Sequence, residues 1–217
     1  MRLQLAIDTL ELSEALSMVE LLSGQVDIVE LGTPLILREG VSAIDSVKTR
    51  FPDQVVLADF KIMDAGAYEA SIAFGAGADI VTVLGAAHDE TISGTVREAR
   101  KSGREVMVDL MAVRDKVTRS QEVQKIGADY VCVHTATDRE GQNSLSDLGA
   151  IRETAPTARI AIAGGIGPDL VHACAPYVPE IVIVGSFITR HAEPARAVQE
   201  IRARFNREPD TRAIGLS

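Results

Sequence analysis

The chain has 217 residues, enough for one domain with a substantial core and short for two domains of ordinary size. Its formal net charge of −9 argues against a general nucleic-acid surface, because phosphate backbones select for stripes of Lys and Arg. No apolar stretch reaches the roughly 18–20 residues that a membrane span requires, and Met1 leads straight into a strand-like run without a signal peptide, so a cytoplasmic protein with no membrane or nucleic-acid partner is expected.

Short β-rich runs then alternate with amphipathic helical stretches. The run 3–7 leads to a helix over 13–22, where Ser13 suits an N-cap and Leu12, Leu16 and Val19 share a face. The run 26–30 leads to a helix over 41–50, 55–59 to 66–74, and 79–84 to 90–101. In the second half, 105–109 leads to 117–126, 129–133 to 145–153, 159–163 to 168–174, and 180–184 to 194–205. Gly77-Ala78-Asp79 and Gly127-Ala128-Asp129 repeat one punctuation, a helix stopped by a left-handed Gly before the next strand opens. Cys132 and Cys174 sit in apolar company without metal-ligand spacing and read as reduced, packed thiols. Residues 1–205 read as one domain, and 206–217, which lack apolar periodicity, as a tail.

Strict alternation of strand and helix demands parallel pairing, since each crossover must return the chain to the same end of the sheet. Parallel strands are covered on both faces, which explains continuous apolar runs such as Ile181-Val182-Ile183-Val184. Eight such units predict an α/β fold, a (β/α)8 TIM barrel. The alternative is a doubly wound open sheet. It would carry a Gly-rich fingerprint after its first strand, where this chain reads Asp8-Thr9-Leu10-Glu11.

In a barrel the chemistry collects at the C-terminal ends of the strands. Those positions hold Asp8, Glu30, Asp59 with Lys61, Asp109, His134, Gly164-Gly165 and Gly185-Ser186. One acid at a strand end is ordinarily a solvated boundary residue or a helix cap; several at one rim with a Lys and a His point to catalysis. Glu30 and Asp59 end neighbouring strands, so their carboxylates can converge on Mg2+, or on Mn2+ in its place, with water and substrate oxygens completing the shell. Lys61 either supplies positive charge to a developing enolate or bridges Asp8 and Asp59. His134 is the proton carrier or a satisfied structural residue, and His88 either contacts substrate or caps a helix. The glycine pairs, with a short helix beginning near Phe187, form a phosphate cradle of backbone N–H groups. Asp64, three residues past Lys61, stands far enough beyond the strand for its side chain to leave the pocket.

The segment LADFKIMDAG (57–66) carries an Asp-x-Lys-x-x-Asp pattern and resembles the orotidine 5′-monophosphate decarboxylase suprafamily. The resemblance is to the branch that holds 3-hexulose-6-phosphate synthases and 3-keto-L-gulonate-6-phosphate decarboxylases. It extends over LQLAIDTL, VDIVELGTPLILREG, GADIVTVLGA, VMVDLMAV, YVCVHTATD, IAIAGGI and IVIVGSFIT, nearly the whole chain. The decarboxylases of that branch have Glu at the end of strand 5 and Arg three residues after the strand 6 His. Here those positions are Asp109 and Thr137, as in the synthases. Their phosphate-side Arg is replaced by Ser186, which leaves the phosphate to backbone amides.

The resemblance implies a barrel of the ribulose-phosphate-binding type and an aldehyde-lyase: Mg2+-dependent aldol addition of formaldehyde to D-ribulose 5-phosphate, through an enediolate, to give D-arabino-hex-3-ulose 6-phosphate. It assigns Glu30 and Asp59 to the metal, Asp8 and Lys61 to the polar cluster around it, His134 to the proton, and Asp109 to metal-bound or substrate hydroxyl groups. It also implies a homodimer in which Asp64 reaches the neighbouring subunit's site. The competing readings are the decarboxylase, a phosphosugar epimerase or isomerase on the same barrel, and a non-catalytic phosphate-binding regulator.

Overall fold

The computed structural model describes residues 1–139 and 145–205. Its eight strands close into one parallel barrel in sequence order. They are β1 (Arg2–Ile7), β2 (Ile28–Leu31), β3 (Val55–Ile62), β4 (Ile80–Leu84), β5 (Glu105–Asp109), β6 (Tyr130–His134), β7 (Ile160–Ala163) and β8 (Ile181–Val184). Closure is carried by β1, which pairs with β2 through Gln4↔Ile28 and Ala6↔Glu30 and with β8 through Gln4↔Ile183. That closure excludes the open doubly wound sheet. The expected tail, 206–217, lies outside the described residues.

The helices are α1 (Leu12–Leu21), α2 (Thr33–Glu39), α3 (Ser42–Arg50), α4 (Gly66–Gly75), α5 (Asp89–Lys101), α6 (Lys116–Ile126), α7 (Leu145–Thr154), α8 (Pro168–Cys174), α9 (Ser186–Thr189) and α10 (Pro194–Phe205). Two differ from the sequence reading. Helix α1 starts one residue before Ser13, with Glu11 at the N-cap, so Ser13 lies inside the first turn and does not cap it. Helix α2 is an unforeseen addition, and Pro34 stands in its first turn, where its missing N–H is no loss. Gly127 caps α6 in the left-handed conformation, and Gly77 follows α4 with φ +99°, as the shared punctuation requires.

The period of two along the strands separates the core from the site. Leu3, Leu5 and Ile7 point outward into the layer between strands and helices, which is packed with Val, Ile, Leu and Ala. Each fully buried Leu or Ile there contributes about 1.5–3 kcal/mol, so this annulus holds the fold. The inward set forms a second cluster that includes Ala6, Ile28, Leu57, Met107, Cys132 and Ile183. Both cysteines are free and buried. Among the described residues no helix is long and apolar enough to cross a membrane.

At the N-terminal end Tyr130 plugs the interior. Its hydroxyl accepts from Arg2 and Arg159 and donates to Glu105 Oε2 at 3.0 Å. Burial, with Glu105 beside it, pushes the Tyr130 phenol up to about 12, so it stays a donor. At the other end β3 departs from regularity. Its register against β4 shifts between Ala58 and Ile62, and Lys61 adopts φ +47°. A residue with a Cβ rarely takes that conformation, and such bulges recur beside active sites because they re-aim side chains.

Candidate active site

A cavity of about 640 Å3 opens at the C-terminal end of the barrel. It is lined by Asp8, Glu30, Asp59, Lys61, Asp109 and His134, together with Gly164, Gly165, Gly185 and Ser186. The structure thus brings ten of the eleven sequence-derived site residues into one space. Asp64 is the exception. It is exposed, its Oδ1 accepts the Ala65 N–H at 2.7 Å, and it does not line the cavity of its own chain.

Strand β3 supplies the centre of the cluster. Asp59 and Lys61 are two residues apart and therefore share the inward face, and the Lys61 ammonium pairs with Asp59 Oδ2. Thr82 from β4 locks this pair: its hydroxyl accepts the Lys61 N–H and donates to Asp59 Oδ1, both at 2.8 Å. Thr33, at the start of α2, donates to Asp59 Oδ2 at 2.9 Å. The Lys61 Nζ also lies 3.9 Å from Asp109 Oδ2, and Asp8 is not among its ion-pair partners. Of the two roles left open for Lys61, the bridge to Asp8 is not made. Burial works against the ammonium but is outweighed by Asp59 and Asp109, so its pKa is raised and it stays a cation.

Asp109 at the end of β5 is buried and fully engaged. Its Oδ1 accepts the Met111 N–H at 2.8 Å, and its Oδ2 is 2.8 Å from His134 Nδ1. Burial would raise this acid, but the hydrogen bond and charge of His134, with Lys61, hold it below the ordinary range. An ionised Asp109 takes the Nδ1–H, which leaves Nε2 as the imidazole atom free to exchange a proton with a ligand. Both Asp109 oxygens are thus engaged within the protein, one of them by His134.

Glu30 is nearly buried and, with Asp59, stands on the adjoining strand. Burial first, and the charge of Asp59 second, push its acid up to about 8. The same two causes, in the same order, raise Asp8 at the cavity mouth. An acid raised in this way marks a place short of positive charge. Glu30 and Asp59 offer hard oxygen donors from neighbouring strands, which suits a divalent cation that takes its other ligands from water and substrate. Among the described residues no group of three or more His, Cys, Asp or Glu forms a ready-made cage. The donor set thus fits a cation held partly by its substrate.

The part of the cavity expected to cradle a phosphate is built around glycines. Gly164 has φ +93°, and a Cβ there would stand 2.1 Å from the Thr135 carbonyl oxygen, so only Gly fits. The short helix expected near Phe187 is a single turn, α9, with Gly185 at its N-cap. Arg190 follows that turn, and its side chain also lines the cavity. A side-chain cation therefore stands on this side, where the sequence reading relied on amides alone.

Gln4, Thr33, Thr82 and Arg190 escaped the sequence reading. The two threonines and Gln4 lie within or just after strands and act across to a neighbouring strand, so no local pattern announces them. Gly32 was a usable signal: a Cβ there would stand 2.1 Å from Asp8 Oδ1, so this Gly makes room for the acid.

The family model described as Orotidine 5'-phosphate decarboxylase / HUMPS family matches residues 1–201. The chain is 44% identical over 204 residues to the 3-hexulose-6-phosphate synthase of Bacillus subtilis (strain 168), covering 93% of this chain and 97% of that protein. The crystal structure of 3-hexulose-6-phosphate synthase from Salmonella typhimurium superposes with a TM-score of 0.91 at 43% identity, over 94% of this chain and 98% of the other. The 3-keto-L-gulonate-6-phosphate decarboxylase from Vibrio cholerae shares the fold, with a TM-score of 0.85 at 24% identity, over 94% and 96% of the two chains.

Proposed function

The chain belongs to the orotidine 5'-phosphate decarboxylase / HUMPS family, and from that premise we propose that it is a 3-hexulose-6-phosphate synthase, a lyase joining formaldehyde to D-ribulose 5-phosphate. The observation that carries this reading is the Asp109–His134 pair facing the Asp59–Lys61 pair in one cavity that Gly164, Gly165 and Gly185 also line. The relatives at 40–44% identity that bear this name support the choice of activity over other chemistries on the same barrel.

Each residue has a task that its surroundings explain. Gly164, Gly165, Gly185 and Ser186 present backbone N–H groups to the phosphate, and Arg190 adds charge. With the phosphate held there, the ketose end reaches the acids of β1 to β3. Glu30 and Asp59 would hold Mg2+, or Mn2+, which would supply Lewis-acid charge to the developing enediolate. His134 Nε2 removes a C1 proton, with Asp109 accepting from Nδ1 and stabilising the imidazolium that results. Lys61, held protonated by Asp59, faces the negative charge that develops on the enediolate oxygens. The carbanionic C1 attacks the formaldehyde carbon, one C–C bond forms, and the new alkoxide takes a proton back. The product is D-arabino-hex-3-ulose 6-phosphate, with no other reactant consumed.

Asp64 belongs to a second subunit's site in this reading. Its exposure and its absence from its own cavity support that assignment, as do exposed Met63, Tyr68 and Ile72 beside it, an apolar face suited to a homodimer interface. The function is tested by turnover of ribulose 5-phosphate with formaldehyde, with and without Mg2+ and a chelator. Dominant CO2 release from a 3-keto sugar acid phosphate would select the decarboxylase instead. Exchange of a single stereocentre with no formaldehyde uptake would select the epimerase.

A further inference from the structure

Gln4 is the anomaly of the barrel interior. It projects from β1 into the second core layer, in register with Ile28 on β2 and Ile183 on β8, both members of the apolar interior cluster. It is 0% exposed. Its Nε2 donates to Glu30 Oε2 at 2.5 Å, from one layer below, while its Oε1 is buried without a hydrogen-bond partner among the described residues. A buried carbonyl oxygen left unpaired is a net loss to folding, and a methionine of similar length would avoid it. Donation of Nε2 to Glu30 Oε2 orients the amide for the ionised carboxylate, the state that receives a cation. Gln4 also reaches the floor of the cavity.

From this arrangement we propose that Gln4 is a positioning residue: it fixes the Glu30 carboxylate toward Asp59 in the orientation that receives the divalent cation. Glu30 is short of other restraints, because the bond from Gln4 is the one hydrogen bond its side chain makes among the described residues. Asp59, by contrast, is held by Thr33, Thr82 and Lys61. One half of the donor pair is therefore anchored three times and the other once. Outer partners of this kind typically alter metal affinity by about 10–100-fold when removed. The inference rests on the cation reading of Glu30 and Asp59 given above.

The test uses the intact protein and Mn2+ alone as probe, with binding read by electron paramagnetic resonance in the absence of sugar. Gln4→Met keeps the length and removes the donor; Gln4→Asn keeps an amide too short to reach Glu30 and serves if the first variant folds poorly. Glu30→Gln is the reference for loss of the site. Both Gln4 variants are expected to bind Mn2+ about tenfold or more weakly with an unchanged circular dichroism spectrum, and raised Mn2+ should restore most of their turnover. A defect in packing alone would not be rescued by the metal. If the wild-type protein binds Mn2+ and the Gln4 variants bind it equally well, this inference fails and the cation reading stands. If the wild-type protein binds no Mn2+, both fall.

Discussion

Thr82→Val exchanges a hydroxyl for a methyl at nearly constant volume, at a position only 3% exposed. Two hydrogen bonds of 2.8 Å disappear, one accepted from the Lys61 N–H and one donated to Asp59. An orphaned buried N–H costs about 1–3 kcal/mol, and a bond to a charged group is worth about 1.5–3 kcal/mol, a sum of roughly 2.5–6 kcal/mol. Asp59 retains Thr33 and Lys61, and the adjoining cavity admits water, so the lower part of that range applies, about 3 kcal/mol. For a chain of this size that lowers the melting midpoint by about 6–12 °C. Urea unfolding followed by circular dichroism measures the change, and Thr82→Ser, which keeps the hydroxyl, should stay within about 1 kcal/mol of wild type. Turnover of the Val variant should fall about tenfold or more, because the bulge that aims Lys61 loses its pin. A Val variant as stable and as active as wild type would refute the role given to Thr82.

Three further outcomes are expected. His134→Asn should lower kcat by about 10²–10⁴-fold with the fold intact, and the double variant with Asp109→Asn should be little worse than His134→Asn alone, since the two residues act as a unit; additive losses in steady-state kinetics would separate them. Glu30 holds its proton up to about 8 in the fold against an ordinary 4.5, so between those values the folded, cation-free chain binds more protons than the unfolded chain and its stability falls as pH rises. Cation binding expels that proton, so calorimetric Mn2+ affinity should increase from about pH 6.5 to about pH 8.5, and a flat profile would contradict the assignment of Glu30. Asp64→Ala and Lys61→Ala should each be inactive, yet co-refolded as a mixture they should recover about a quarter of wild-type turnover, because half of the dimers then carry one intact shared site; no recovery would place Asp64 outside the neighbouring site.

The barrel was legible in the linear pattern because parallel pairing leaves few options. Strands buried on both faces read as apolar runs, and eight of them alternating with helices close on themselves. The C-terminal strand ends then pointed to Asp8, Glu30, Asp109 and His134, each found in the cavity. Cooperation between residues distant in sequence was not legible. Nothing local to Thr82 announces that it will hold both the Lys61 backbone and the Asp59 carboxylate, because those partners come from the neighbouring strand after closure. The same holds for Asp109, whose partner His134 lies 25 positions away.

The amino-acid order alone, through apolar periodicity and the residues at strand ends, determined that this chain forms a barrel with acids, a lysine and a histidine on one rim. Only the closed tertiary structure decided how those groups pair: Lys61 with Asp59, Asp109 with His134, and Gln4 with Glu30. The physical reason is that strand patterning is a property of each segment, whereas a buried charge is set by whatever the adjoining strands bring within hydrogen-bonding reach once water has been excluded.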